Sequence, residues 1–175
     1  VLAGIVLRDG YRVFVSDQSG NSASGILNFG QRTVRGETLF ETSCPVCVPQ
    51  DGVTEIPISH PISDRPDSYL FVEFNGSKNI YFINGYRGTE FESRLACSGS
   101  PIVKEGERYC CRLHVRAKAF GKSVFADAEE KFDLRVQDNY FDREEGDEKE
   151  IFLSCGQEFC AEDISVKTFA DVWNE

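Results

Sequence analysis

The most constraining feature of the sequence is a stretch of alternating apolar and polar residues that runs from Tyr109 to Val136. Between Tyr109 and Ala119, one set of alternate positions is apolar and the other is largely basic. Because successive side chains of a strand point to opposite faces, this pattern predicts a strand with one buried face. A turn at 120–123 and a second alternating run from Phe132 to Val136 predict an antiparallel partner. The stretch therefore favours a sheet that covers a hydrophobic core.

Two hairpins are predicted elsewhere in the chain. The first joins 4–7 to 11–16 through an Asp-Gly turn. The second joins 69–74 to 79–83 through Asn-Gly-Ser-Lys, and its apolar residues on both parities indicate burial on both faces. The last segment, 162–173, fits both a strand and a helix, and we favour a short helix. We expect a mainly β protein, an antiparallel two-sheet β-sandwich with long loops and at most one or two short helices.

Length and charge limit the number of domains and the kinds of partner that we expect. The 175 residues contain no internal repeat and no long linker, which predicts a single β-rich domain over 1–175. The formal net charge of -10 disfavours binding to nucleic acid phosphates and to anionic membranes. It fits a basic protein partner, a cation or solubility alone. No apolar run is long enough to span a bilayer, so membrane insertion is not expected.

Seven cysteines indicate the compartment in which the chain works. They are Cys44, Cys47, Cys97, Cys110, Cys111, Cys155 and Cys160. In an oxidising compartment they would form up to three disulfides and leave one thiol unpaired, whereas in a cytosolic structural protein they would be reduced or hold a metal. A glycosylation triplet at Asn75, in an expected exposed turn, points the same way. We therefore expect an acidic, disulfide-bonded, extracellular or secreted glycoprotein.

The adjacent pair Cys110 and Cys111 requires two different partners, because neighbouring side chains of a strand point to opposite faces. The alternation places Cys111 toward the core and Cys110 outward. Cys97 is the nearest candidate partner for either cysteine, and the spacing does not choose between them.

The spacing Cys44-x-x-Cys47 has two other interpretations. A redox dithiol is disfavoured because a proline follows the first cysteine and no strand-helix pattern surrounds the motif. A zinc site would combine Cys44 and Cys47 with Cys155 and Cys160, although the second spacing is loose for such a site. We prefer structural disulfides and assign no metal or cofactor. The acidic segment 138–150 lacks calcium-loop spacing and is interpreted as a solvated loop.

A basic stripe follows the outward parity of the alternating strand. Its members are Arg112, His114, Arg116 and Lys118. Such a stripe can contact an anion or an acidic partner. Carboxylates of neighbouring strands, such as Asp127, Glu129 and Asp133, can instead pair with it across the sheet, and we favour this structural interpretation.

Catalysis has little support in the sequence. The two histidines, His60 and His114, belong to no nucleophile elbow and to no metal-ligand pair. We expect a non-enzymatic secreted or cell-surface domain that recognises another protein. Two alternatives stay open: a carbohydrate- or small-ligand-binding β-sandwich domain that uses the aromatic second hairpin, and a hydrolytic enzyme that uses His60 or His114. Exposure of Tyr81, Phe82 and Tyr86 distinguishes sugar binding from protein recognition.

Overall fold

The computed structural model describes residues 1–86 and 88–173, with the side chain of residue 173 left out. The chain is mainly β, with 55% strand and 6% helix. Its contacts divide it into two compact units, Val1–Thr89 and Glu90–Glu175, and each is described by itself. The expectation of one domain over 1–175 stays a prediction. Among the described residues, no helix is long and apolar enough to cross a membrane.

The described part of the first unit contains seven strands in two antiparallel sheets. The strands are β1 (Leu2–Leu7), β2 (Tyr11–Ser16), β3 (Ala23–Thr33), β4 (Thr38–Val48), β5 (Val53–Pro57), β6 (Ser68–Phe74) and β7 (Ser77–Tyr81). The strand orders are β1-β2-β5 and β4-β3-β6-β7. Both predicted hairpins are confirmed, since β1 pairs with β2 and β6 pairs with β7.

The core of the first unit lies between its two sheets. Ala3, Val13 and Val15 of the smaller sheet pack in one cluster with Phe29 and Val72 of the larger sheet. Inward-facing apolar residues at every second position produce this arrangement, because the side chains of a strand alternate between its faces.

Gln31 is a polar exception within the buried part of the first unit. Its Nε2 donates to the Ser63 carbonyl (2.7 Å) and to Ser68 Oγ (2.9 Å), and its Oε1 accepts from the Ser63 N–H (2.9 Å). These three bonds satisfy a fully buried amide and hold the proline-rich segment before β6 against β3.

The described part of the second unit contains eight strands. They are β8 (Leu95–Gly99), β9 (Val103–Glu105), β10 (Arg108–Ala117), β11 (Gly121–Ala128), β12 (Arg135–Val136), β13 (Phe141–Arg143), β14 (Glu148–Cys155) and β15 (Ile164–Lys167). One sheet has the order β12-β14-β10-β8 with β9 beside β10, and the other has the order β13-β11-β15. Two 3-10 turns, Glu130–Phe132 and Ala161–Asp163, and the helix α1 (Phe169–Trp173) complete the unit. The predicted mainly β, antiparallel sandwich architecture is confirmed.

The alternating stretch forms β10 as predicted, but its predicted partner is wrong. Leu113 and Val115 are buried in the core, whereas the predicted partner, Phe132 to Val136, forms the end of a 3-10 turn and the short strand β12, which pairs with β14 and not with β10. The strand that follows the turn is β11, and it belongs to the opposite sheet. Val124 and Ala126 of β11 therefore enclose the core from the other side. The neighbours of β10 are β8 and β9, which precede it closely in the chain, and β14, which comes from a distant part of the chain.

Three local predictions are corrected by the strand neighbours. Cys110 has the predicted outward parity, yet it is buried, because it lies between Val103 of β9 and Ser154 of β14. The acidic segment 138–150 is not a loop throughout, since β13 and the start of β14 lie within it. The C-terminal segment begins as strand β15 and becomes helical only from Phe169.

Candidate functional site

The basic stripe lies on the exposed face of β10, beside β14. Arg112 Nη1 donates to Glu150 Oε1 (2.6 Å), and His114 Nε2 lies 3.1 Å from Glu150 Oε2. Arg116 Nη1 lies 3.5 Å from Glu148 Oε1. The expected cross-strand carboxylates are present, but they come from β14 and not from the segment that follows the turn. Because three of its four members lie beside a carboxylate, most of the stripe is a charge-balanced surface. Exposed pairs of this kind contribute about 0–1 kcal/mol each to stability.

The two histidines have different surroundings. The His60 ring stacks on Phe40 with the ring centroids 4.8 Å apart, and its Nε2 lies 3.1 Å from Thr42 Oγ1. His114 lies opposite Ser98 in the register of β10 and β8. Among the described contacts, the Ser98 hydroxyl makes no hydrogen bond to His114, and a nucleophile needs hydrogen-bond reach to its base. The Thr42 hydroxyl does lie within reach of His60, but among the described contacts no carboxylate orients the His60 ring, so the hydrolytic alternative stays a prediction.

All seven cysteines are free thiols, and no two of them lie at disulfide distance. The expected bridges are therefore not formed in this structure, and disulfide pairing and secretion stay predictions. Cys44 and Cys47 lie on β4 and not on a loop. Pro45 is tolerated between them because β4 is the edge strand of its sheet.

The zinc alternative has no geometric support. Among the described residues, no three His, Cys, Asp or Glu side chains come together in a way that could hold a metal ion. Burial raises the pKa of the Cys97, Cys111 and Cys155 thiols, and a hydrogen bond to the Asp163 carboxylate raises that of Cys160. A raised pKa keeps a thiol protonated and weakly nucleophilic at neutral pH.

Asn75 lies in the exposed turn between β6 and β7, as expected for a glycosylation triplet. Its backbone has a φ of 47°, and its Nδ2 donates to the Ser24 carbonyl (3.3 Å). Glycosylation at Asn75 stays a prediction.

The aromatic residues of the second hairpin are partly exposed. Tyr81 is 38% exposed and Tyr86 is 46% exposed, whereas Phe82 is half-buried with its ring centroid 5.6 Å from that of Tyr69. The rings of Tyr81 and Tyr11 are tilted by 59° at a centroid distance of 5.9 Å. Two of the three rings that distinguish sugar binding from protein recognition are thus exposed, and the tilt between Tyr81 and Tyr11 means that these two rings do not form a flat surface.

A flatter aromatic surface lies in the second unit, within the acidic segment. The Tyr140 ring stacks on the Phe125 ring with a centroid distance of 5.2 Å and an interplanar angle of 23°. Tyr140 is 69% exposed, so its ring is supported by Phe125 and remains open to solvent. We call these two residues the Tyr140 platform. The platform was not predicted from the sequence, and the available signal was the presence of Tyr140 and Phe141 in an otherwise acidic segment.

The side chain of Asn139 holds the Tyr140 platform on β11. Its Oδ1 accepts from the Ala126 N–H (2.8 Å), and its Nδ2 donates to the Ala126 carbonyl (3.1 Å). The amide thereby satisfies the backbone groups that a partner strand would otherwise pair. Tyr140 itself has a φ of 64°, a left-handed conformation that costs a bulky residue about 1–2 kcal/mol. Strain of this kind persists only where the surrounding structure maintains it.

Polar groups lie beside the Tyr140 platform on the same sheet. Phe125 pairs in register with Lys167 of β15, and Asp127 pairs with Ser165. Asp127 and Ser165 are exposed, and the Ser165 hydroxyl donates to the Asp127 carbonyl (3.2 Å). A flat ring with carboxylate, hydroxyl and ammonium groups nearby suits a ligand that has both an apolar face and hydroxyl groups.

Comparisons with known proteins give structural similarity only. No family model matches the chain, and no curated protein matches it in sequence. A β-D-mannosidase from Dictyoglomus thermophilum matches with a TM-score of 0.69 and 14% identity, over 95% of this chain and 21% of that chain. The exo-β-D-glucosaminidase CsxA matches with a TM-score of 0.63 and 10% identity, over 95% of this chain and 25% of that chain. The chain thus spans less than two thirds of these glycosidases, and the likeness shows the β-sandwich fold alone.

Proposed function

We propose that this chain is a non-catalytic β-sandwich module that binds carbohydrate. The observation that carries the proposal is the exposed Tyr140 ring, stacked on Phe125 and held in a strained backbone conformation by Asn139. The structural likeness to parts of two glycosidases supports a module of this kind, although it does not transfer their activities.

A sugar suits the Tyr140 platform for two physical reasons. The C–H groups on one face of a pyranose ring form a flat apolar surface that packs on an aromatic ring. The hydroxyl groups at the ring edge donate and accept hydrogen bonds, and Asp127 and Ser165 lie exposed on the same sheet for this purpose. Because Phe125 fixes the ring of Tyr140 in advance, binding requires little further ordering of the side chain.

The other functions drawn from the sequence remain predictions. Recognition of a protein partner by a secreted domain is supported by no feature that we find among the described residues. Hydrolysis would require a group that orients His60 beside the Thr42 hydroxyl, or a nucleophile beside His114. Sugar binding by the exposed Tyr81 and Tyr86 remains a second location for the same function in the first unit.

The proposal is tested by titrating the chain with soluble oligosaccharides in a calorimeter. β-Linked manno-oligosaccharides and glucosamine oligomers are the first choices, because the two similar structures are named for enzymes that act on such sugars. We expect binding that weakens about three- to tenfold in Tyr140→Ala, since an aromatic contact contributes about 0.5–1.5 kcal/mol. Tyr140→Trp should retain binding, because tryptophan offers a larger flat ring.

Two matched controls locate the site. Tyr81→Ala and Tyr86→Ala remove exposed tyrosines of the first unit and should leave the affinity unchanged. Loss of binding in these variants, with no change in Tyr140→Ala, would move the site to the second hairpin. Absence of binding to a broad panel of neutral, acidic and amino sugars would reject the proposed function.

A further inference from the structure

A cavity of about 320 Å³, lined mainly by apolar side chains and open to solvent at the exposed Ser98 and Gly99, lies in the second unit between the sheet of β8, β10 and β14 and the strand β15. Leu113 and Leu153 line it from one sheet, and Ile164 and Val166 line it from the other. Both β8 and β15 are edge strands, so the cavity lies on the side of the sandwich where neither sheet continues. Its volume falls within the range of small-ligand pockets.

A basic groove of about 420 Å³ lies on the outward face of the edge strand β8 and its neighbour β10. His114, Arg116 and Lys118 line it, and Glu148 is the carboxylate among its lining residues. The Glu148 carboxylate is already paired with Arg116. Among the contacts of the described residues, the Lys118 ammonium makes no ion pair, so the groove has a cation available for an anion.

The two spaces are neighbours, because Cys97 and Ser98 of β8 line both of them. Cys97 lies opposite the buried Val115 in the register of β8 and β10, although Cys97 is itself exposed at this edge, and Ser98 lies opposite His114 on the outer face. A single ligand that passes around β8 can therefore place an apolar part in the cavity and a charged part in the groove.

We propose that these two spaces bind a medium-chain fatty acid, with its hydrocarbon chain between β8 and β15 and its carboxylate beside Lys118. The basic groove favours the carboxylate of such a ligand, and it is a local positive region in a chain of net charge -10. The adjoining cavity, lined mainly by apolar side chains, favours the hydrocarbon chain. This site is separate in residues and chemistry from the Tyr140 platform, so it does not depend on the proposed sugar binding.

The ligand class is tested by titration of the full chain with decanoate below its micelle concentration. We expect decanoate to bind roughly fifteenfold more tightly than octanoate, because each of its two additional buried methylene groups adds about fourfold to the affinity. Butyrate, which has the charge without the chain, should not bind measurably. Decanol, which has the chain without the charge, should bind about fivefold more weakly than decanoate, with the difference shrinking at high salt.

Substitutions on the two sides of β8 test the site itself. Lys118→Glu should weaken decanoate binding about fivefold, and Val166→Phe, which fills the cavity, should weaken it about tenfold or more. Arg112→Glu is the matched control, since Arg112 lies on the same face of β10 but does not line the groove. Equal losses in Lys118→Glu and Arg112→Glu would overturn the proposal, because they indicate non-specific attraction.

A second measurement keeps the proposal testable if Val166→Phe does not fold. Cys97 is exposed and lines both spaces, whereas the exposed Cys47 belongs to the first unit. We expect decanoate to slow alkylation of Cys97 by a maleimide, measured by mass spectrometry of peptides, and to leave Cys47 unaffected. Unchanged alkylation of Cys97 at saturating decanoate would reject the site. Tyr140→Ala should bind decanoate normally, so a failure of sugar binding does not affect this result.

Discussion

Tyr140 is unusual because it is a bulky residue with a left-handed backbone and an exposed ring. Such a conformation is more favourable for glycine, which has no Cβ to meet the carbonyl oxygen. The ring gains the contact with Phe125, but an exposed stacking pair contributes no more than about 0.5–1.5 kcal/mol. The residue is thus close to neutral for stability, which is consistent with a side chain kept for a ligand.

Replacement of Tyr140 by glycine and by alanine separates backbone strain from ring contact. Both variants lose the ring, but only alanine keeps the cost of the positive φ. We expect Tyr140→Gly to be about as stable as the parent chain and about 1 kcal/mol more stable than Tyr140→Ala. Urea denaturation of the three proteins measures this difference. Equal midpoints for the glycine and alanine variants would show that the left-handed conformation carries no strain.

At the scale of elements, the side chain of Asn139 makes hydrogen bonds to β11 that a neighbouring strand would otherwise make. β13 pairs with β11 only around Gly121 and Val124, with a shift of register between them. Beyond that point the Asn139 amide bonds to Ala126 and continues the pairing with a side chain. The backbone groups of Ala126 at this edge of β11 are therefore paired, and the ring of the next residue, Tyr140, is exposed.

Asn139→Ala should destabilise the second unit by about 1–3 kcal/mol, because the Ala126 N–H and carbonyl lose their partners. Hydrogen exchange should show reduced protection of the Ala126 amide, and the sugar affinity should fall together with it. Asn84→Ala is a suitable control, since the Asn84 side chain makes one exposed hydrogen bond to the Asp64 carbonyl. A loss of stability as large as that of Asn139→Ala in the control would contradict the assigned role.

β10 shows how far a local pattern can predict an element. The alternation of apolar and basic residues predicted its bounds to within one or two residues and predicted the burial of Cys111, Leu113, Val115 and Ala117, but not that of Cys110. Alternation carries no information about the neighbouring strands, because it describes one strand alone. The pairing with β14 in particular is decided by the packing of a distant segment.

At the scale of the whole molecule, several carboxylates are tied to hydrogen-bond donors. The backbone N–H of Ser19 lowers the pKa of Asp17. The guanidinium of Arg65 lowers the pKa of Asp67, and that of Arg108 lowers the pKa of Asp133. In each case the folded state holds the charged form of the carboxylate more strongly than the unfolded chain does.

This linkage predicts a loss of stability in acid. The folded-state pKa values lie below the unfolded value of about 3.9, so the stabilisation is complete above that pH and is lost as the pH falls through the folded values. Urea midpoints measured from pH 7 to pH 3 should fall mainly below about pH 4. Asp133→Asn should flatten this dependence, because it removes a carboxylate bound by Arg108. Asp9→Asn removes an exposed carboxylate that makes no ion pair among the described contacts, and a similar flattening there would contradict the explanation.

The sequence by itself determined the β class, both short hairpins and the buried face of β10, because alternation and turn chemistry act between residues that are close in the chain. Only the tertiary structure decided the rest. Burial of Cys110 depends on β9 and β14, and the crossing of β11 to the other sheet depends on the whole core. The Tyr140 platform likewise requires Phe125 and Asn139 to meet on β11. Such contacts join residues that no local pattern relates, and they create the sites proposed for this protein.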